Sequence, residues 1–568
     1  MERSGTPFTK AYERLNKAQK AAVDTTEGPV MVIAGPGSGK TEILALRVAN
    51  ILQKTQATPG NILCLTFTES AASNMRQRLA ALIGERAYRV AIHTFHSFAT
   101  EVIGRYPEYF YGGAYMSPAD DLIRLEIIEN ALRDLPHGHP LRSEHPEQGY
   151  VFRKPVLKVI GFFKKAGLMP DELALISEAN EKDIEALDPI IAEYFGDRIS
   201  KKEFGKIHEA LLKIEALAKK AKTDLVPHVF WKPYPAVVCA SLKKALTEAE
   251  SQESGTPLST WKSDWSEKGD DGRRRLKDGG DRLIRMKEVA TIYAHYQKEL
   301  FARGYFDFDD MILDVIQASL THTALRSELQ EMYQYMLVDE FQDTNDAQMR
   351  LVRIIADAEV NEQKPNLMVV GDDDQAIYRF QGADVSNILS FATSWKDVAF
   401  VTMTDNYRST QDILDAASSI IGRGSERLEK ILPNIEKKLV SANKNLSAGE
   451  IKHICLPTSP HEFHFVAKEI RRLIDGGTKP EEIAVIARKH RQLEDLVSYL
   501  KAVSVPIRYE REQNVLLEPH IKQIITIGKF LQTVADVGKN EADYLLPEIL
   551  SFPSSSVTSK GNEGITCS

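Results

Sequence analysis

Apolar residues in the first hundred positions fall in short aliphatic runs, Val30–Ala34, Ile62–Phe67 and Val90–His93, separated by longer stretches of helical period such as Glu42–Gln53. Short, continuously apolar strands alternating with helices predict a parallel sheet with crossover helices on its faces, an α/β fold. From about Tyr109 to Leu300 the period changes. Leu122–Leu132, Val156–Ala166 and Glu203–Ala221 predict long amphipathic helices, and the whole stretch reads as a helical insertion. Within it, Ser251–Asp281 is rich in Ser, Gly, Asp and Lys and carries Arg273-Arg274-Arg275. That composition predicts a mobile loop with solvated arginines, a nucleic-acid backbone contact being the competing role for the cluster. Strand-like runs return at Tyr335–Asp339, Asn366–Gly371 and Val398–Met403, as if completing the first sheet. Ile451–Leu456, a helix over Glu462–Ile474, Ile483–Ala487 and a helix over Gln492–Lys501 then predict a second α/β series, and Ser551–Ser568 closes no element.

With 568 residues the chain is too long for one core, and about three or four domains are expected. No apolar run is long enough to span a bilayer, and Met1–Lys20 lacks the apolar centre of a signal peptide, which predicts a cytoplasmic protein with no membrane partner. Cys64, Cys239, Cys455 and Cys567 show no paired spacing, so neither a disulfide framework nor a zinc or iron–sulfur site is expected. The net charge of −8 gives no global signal for nucleic acid; any such binding needs a local groove.

The chemistry begins directly after the first apolar run, at Ala34-Gly35-Pro36-Gly37-Ser38-Gly39-Lys40-Thr41. Glycines at this spacing let successive backbone N–H groups turn inward on a triphosphate, while the following helix offers its positive end to the same anion. Lys40 is then placed for the β- and γ-phosphates, and the Thr41 hydroxyl for Mg²⁺. The first position is Ala34 rather than the usual Gly, and a Gly-rich turn without nucleotide carries the same residues, so context decides. A strand before and a helix after supply it. Leu337-Val338-Asp339-Glu340 ends another apolar run with two acids, where a nucleotide hydrolase keeps its Mg²⁺ carboxylate, Asp339, and a residue that orients or deprotonates water, Glu340.

The words around these residues carry a resemblance. Asp339-Glu340-Phe341-Gln342-Asp343-Thr344, then the run from Val370 to Ala383, then Asn406-Tyr407-Arg408-Ser409, closely resemble the motifs of the UvrD/Rep helicases of superfamily 1, in the same order. Upstream, Leu15 to Val23 resembles the family's glutamine motif, Thr66-Phe67-Thr68 with Ala71-Ala72 and Thr94-Phe95-His96-Ser97-Phe98 its DNA-contact motifs, and Phe306 to Met311 the return to the first motor domain. The resemblance implies RecA-like motor domains: the first over residues 1–108 and 301–396, a helical insertion over 109–300, the second motor over 397–515, and the start of a second insertion over 516–568. It implies Gln19 on the adenine edge, Tyr407 stacked on the base, Gln375 sensing the γ-phosphate and Arg408 stabilising charge during transfer. Thr94 and the aromatic platforms Phe67, Phe95, His96, Tyr378 and Phe380 would contact single-stranded DNA. Two departures, Phe380 for the family's Trp and Glu69-Ser70 for its Asn-Lys, predict a weaker grip on DNA.

The implied activity is ATP- and Mg²⁺-dependent 3′ to 5′ movement on single-stranded DNA and duplex junctions, in repair or recombination. Two later motifs of the second motor are not recognised after Arg408, which predicts a truncated second motor, weak hydrolysis and no unwinding. The competing readings are a non-catalytic ATP- and DNA-binding module, the helicase part of a helicase–nuclease with repair or nuclease partners, and an unrelated P-loop ATPase.

Overall fold

The computed structural model describes residues 6–531 except 111–115, 146–148, 197–198, 200, 223–224, 227–230, 270, 378–385, 424–426, 432–434, 436, 447–449, 510–519, 522 and 529–530. The chain divides into two compact units, Met1–Ile451 and Lys452–Ser568.

The first unit is built on a six-stranded sheet. Its strands are β1 (Val30–Ala34), β2 (Ile62–Thr66), β3 (Ala91–Thr94), β4 (Tyr335–Val338), β5 (Leu367–Gly371) and β6 (Ala399–Met403). They lie in the order β6-β1-β5-β4-β2-β3, with every pairing parallel. Both faces are covered, which is why the inner strands read as continuous apolar runs. Alternate residues serve opposite cores: Met31 and Ile33 join Leu63, Leu65 and Val338 on one face. Val30, Val32 and Ala34 join Ile62, Cys64 and Leu337 on the other.

Because the strands are parallel, every loop that follows a strand leaves at one edge of the sheet. That edge collects the residues after β1, β2, β3, β4 and β5, and ligands in open α/β sheets bind outside the carboxyl ends of strands. The helix α1 (Lys17–Asp24) precedes β1, and α2 (Lys40–Lys54), α3 (Glu69–Ile83) and α4 (Phe95–Arg105) follow β1, β2 and β3 in turn.

The helical insertion lies between β3 and β4 and has cores of its own around Tyr293 and Tyr296 and around Leu187 and Trp261. It is tied to the sheet domain by buried charge. Lys164, from the helix Arg153–Lys165, donates to Asp307 at 2.9 Å and Asp310 at 2.8 Å, on and beside the helix Phe308–Thr321. Arg350, from the helix Asp346–Ala356, forms a two-pronged pair with Glu172 at 2.9 and 2.6 Å.

Three sequence expectations are corrected. Ser251–Asp281 is ordered, with a helix at Thr256–Trp265 followed by the antiparallel strands Ser266–Lys268 and Arg274–Leu276. Leu258, Trp261 and Leu276 are buried there and hold the segment down, outweighing its polar composition. Of its arginines, Arg274 turns inward and donates to Ser266, while Arg273 and Arg275 are exposed, as expected, with Arg275 beside Glu267. Strand β6 completes the first sheet beside β1, as the apolar run Val398–Met403 predicts, so the sheet runs past the expected domain boundary at residue 396. In the second unit the helices Ser459–Asp475 and His490–Ala502 are present, but 451–456 and 483–487 pair with no strand among the described residues. A strand exists through its neighbour's hydrogen bonds, and apolar alternation alone does not supply one.

Candidate active site

The loop between β1 and α2 takes the shape its glycines permit. Gly37 and Gly39 have φ of 67° and 90°, and Gly39 is the left-handed cap of α2. Ser38 Oγ donates to Gly35 O at 2.7 Å, folding the turn on itself. Lys40 and Thr41 follow as the first residues of α2, at the helix end whose N–H groups have no partner within the helix.

At the end of β4, Asp339 is 6% exposed and Glu340 takes an uncommon left-handed backbone, φ 47°. Asp339 Oδ1 accepts the Glu340 N–H at 2.9 Å, which fixes that turn. Lys40 Nζ lies 2.6 Å from Glu340 Oε2, joining the two halves of the site across 300 positions of chain. Gln342 Nε2 donates to the same oxygen at 2.8 Å. Burial, and then the Glu340 charge, push Asp339 and Asp343 each up to about 6. Asp339, a buried carboxylate, and Thr41, whose hydroxyl sits in the first turn of α2, are hard-oxygen donors of the kind Mg²⁺ takes.

Strand β5 is followed by Asp372-Asp373-Asp374-Gln375. Gln375 Nε2 donates to Asp372 Oδ2 at 2.7 Å, and the Asp372 N–H donates to Gln342 Oε1 at 2.9 Å, so this loop is hydrogen-bonded to the Glu340 turn.

Beyond β6 the chain turns back on the phosphate loop. Asn406 is fully buried; its Nδ2 donates to Pro36 O at 2.5 Å while its Oδ1 accepts the N–H groups of Arg408 and Ser409. Tyr407 N donates to Gly37 O at 2.9 Å. Tyr407 is exposed, with its hydroxyl accepting from Asn16 at 3.1 Å, and Arg408 is exposed alongside. Gln19 sits below: its Nε2 donates to Ser38 O at 2.9 Å and its Oε1 accepts the Asn16 N–H in a capping box. The expectation of Gln19 free for an adenine edge is thus narrowed. One N–H and one lone pair of the amide are taken by the loop and the cap, and one of each remains.

The chain matches the UvrD/REP helicase N-terminal domain over residues 15–396. The chain belongs to the UvrD/REP helicase family. It also matches the UvrD-like helicase C-terminal domain over residues 401–547. That finding corrects the expected loss of the second motor's later part: the chain matches the C-terminal domain as far as residue 547. Among similar proteins are the ATP-dependent DNA helicases PcrA of Staphylococcus epidermidis, 28% identical over 541 residues, and of Staphylococcus aureus, 27% identical over 539 residues. Each alignment covers 95% of this chain and 56% of the relative, so the chain spans little more than half of their length.

Of the residues that the family pattern assigns to DNA, Phe67, Thr94, Phe95 and His96 lie at or just after the ends of β2 and β3, which are in register at Thr66 and Thr94. Phe67 is half-buried beside them. Thr94 caps α4 and donates to Glu69 Oε1 at 2.8 Å, so the acid that departs from the family pattern is held by a residue expected to meet DNA. His96 is half-buried against the edge of Phe308, ring centroids 6.5 Å apart, and burial holds its pKa below the ordinary value, leaving it neutral. Phe95 is corrected: at 2% exposure it packs in the core under the sheet and offers no face for a base. Tyr378 and Phe380 lie outside the described residues. No described helix is long and apolar enough to cross a membrane.

Asn406, Gln342 and the acids Asp372 and Asp373 were assigned no role from sequence. Asn406 stands in a recognised word beside Tyr407. The signal for Gln342 was its place two residues after Glu340.

Proposed function

We propose that the chain is an ATP-driven motor on single-stranded DNA that separates strands at duplex junctions, moving 3′ to 5′, in DNA repair or recombination. The Lys40–Glu340 contact carries the reading, because it brings the phosphate lysine and the water-orienting acid together at one sheet edge, under a segment bearing Tyr407 and Arg408. The entering triphosphate competes with Glu340 for the Lys40 ammonium. Transfer of the lysine to phosphate frees the Glu340 carboxylate to orient water and accept its proton. Gln375 faces the γ-phosphate from the β5 loop, Arg408 stabilises the charge that develops there, and Tyr407 stacks on the base. Thr41 and Asp339 would hold Mg²⁺, whose chemistry is to neutralise phosphate charge. Family membership implies nucleotide use and a DNA substrate, and the curated relatives are named ATP-dependent DNA helicases.

DNA lies across the ends of β2 and β3, with Phe67 and His96 beside it; base stacking tolerates any sequence, as movement along a strand requires. The test is ATP hydrolysis by this chain with and without single-stranded DNA, beside Lys40→Ala, with displacement of a strand from duplexes tailed at the 3′ or the 5′ end. Lys40-dependent hydrolysis raised by DNA, with 3′-tail preference, is the expected result. DNA-independent hydrolysis insensitive to Lys40→Ala would overturn it.

A further inference from the structure

The β5 loop carries a charge cluster that the reaction described above does not use. Lys437 Nζ lies 2.8 Å from Asp372 Oδ1, 2.5 Å from Asp373 Oδ1 and 2.9 Å from Asp374 Oδ2, and its side chain is 4% exposed. Arg427 adds a two-pronged pair to Asp374, both contacts at 2.8 Å. Burial works against the Lys437 charge, but the Asp372 and Asp373 carboxylates outweigh it and hold its pKa above the ordinary value. A cation enclosed by three acids stays charged and in place.

The cluster reaches the reacting groups in two directions. Asp372 shares its carboxylate: one oxygen takes Lys437, the other takes the Gln375 amide. The Asp372 N–H holds Gln342 Oε1, and Gln342 Nε2 holds Glu340. Lys437 also arrives on the segment that grips the phosphate loop. Val440 and Ser441 pair in parallel with Asp405 and Asn406, whose neighbour Tyr407 bonds to Gly37, and a Cβ on Gly35 would meet Leu439 at 2.6 Å. One piece of chain is therefore anchored both to the loop that binds phosphate and to the loop that bears Gln375.

We propose that Lys437 is a positioning residue for ATP hydrolysis, acting through Asp372 to hold the Gln375 amide in its working geometry. It touches no substrate. Lys437 thereby ties the β5 loop, with Gln375, to the paired residues 405–406 and 440–441, next to Tyr407 and Arg408. The inference rests on the hydrolase reading given above.

The test uses the full chain and single-stranded-DNA-stimulated ATP hydrolysis for Lys437→Met, Lys437→Arg, Gln375→Ala and the two double variants with Gln375→Ala. Lys437→Met should lower kcat by about tenfold or more with KM for ATP changed less than about threefold, and Lys437→Arg should recover part of the loss. In the Gln375→Ala background either change should add less than about twofold, because its route of action is already gone. A purely structural lysine would not show that non-additivity. Should Lys437→Met fail to fold, Lys437→Arg decides by the same comparison. Wild-type kcat in the Lys437 variants, or losses that multiply with Gln375→Ala, would overturn the proposal. A wild-type chain that hydrolyses no ATP sinks the functional reading and this one with it, whereas an active wild type indifferent to Lys437 sinks this one alone.

Discussion

Lys40 and Glu340 form a 2.6 Å ion pair whose lysine side chain is 11% exposed and whose acid is 34% exposed. The pair places a cation needed for phosphate on the group needed for water. Glu340→Gln removes the competitor for the ammonium and the proton acceptor together. Turnover should fall by about 10²-fold or more, within the range for loss of a general base, while KM for ATP stays level or falls. Lys40→Ala should instead abolish binding of a fluorescent ATP analogue. Steady-state kinetics beside that binding measurement separates the two, and a Glu340→Gln enzyme that binds ATP poorly would contradict the assignment.

The phosphate loop makes two glycines unequal. Gly37 combines φ of 67° with a Cβ position 2.7 Å from Arg408 Cβ, so alanine there is strained and also pushes on the 406–408 turn. Gly35 has ordinary φ, and its added Cβ meets only the flexible end of Leu439. Gly37→Ala should cost about 1–3 kcal/mol in stability and most of the ATP affinity. Gly35→Ala should be milder, and Leu439→Ala should relieve it. Thermal unfolding and nucleotide titration of the three variants check the order.

Asp339 gives a pH signature. Its pKa is pushed up to about 6 from an ordinary 3.8, by burial and then by Glu340. Between those values the folded chain binds more protons than the unfolded one, so this group's contribution makes stability fall as pH rises from about 4 to about 6, then level off. Asp343 has the same sign. Asp339→Asn cannot titrate, so its stability relative to wild type should increase through that window and plateau above it. Urea midpoints of the nucleotide-free, metal-free proteins measure the difference; a difference that shrinks with rising pH would exclude this cause.

What could be read from the chain before folding follows physical lines. Strands β1, β2, β4 and β5 are visible because strands buried on both faces are continuously apolar, Asp339 because a charge that ends such a run stands out, and Lys40 because it closes a glycine-rich loop between a strand and a helix. Phe95 and His96 show the limit: adjacent ring residues in one word, yet one is core and the other half-buried. Helix direction decides between them, and ring chemistry does not. The Lys437–Asp372 contact, separated by 65 positions, leaves no local trace, since nothing in the sequence near Lys437 says which strand end it will reach. The Ser251–Asp281 segment misled through averaging, because its tryptophans decide its fate while its serines and glycines dominate its composition.

The joint between insertion and sheet domain offers the largest stability effect. Lys164 has a fully buried side chain, and its ammonium is shared by Asp307 and Asp310. Tyr296 OH and Arg124 add to Asp307, at 2.9 and 3.3 Å, and Gln297 adds to Asp310 at 2.9 Å. Lys164→Met leaves two acids buried with a shortage of positive charge, and removing one member of such a buried set costs about 3–5 kcal/mol. Lys164→Met combined with Asp307→Asn and Asp310→Asn removes the charge imbalance and should recover a large part of that loss, because amides retain the hydrogen bonds to Tyr296, and the residual desolvation is that of neutral groups. Urea unfolding followed by tryptophan fluorescence compares the single and triple variants. A triple variant less stable than Lys164→Met would show that the ion cluster, and not merely its balance, holds the insertion in place.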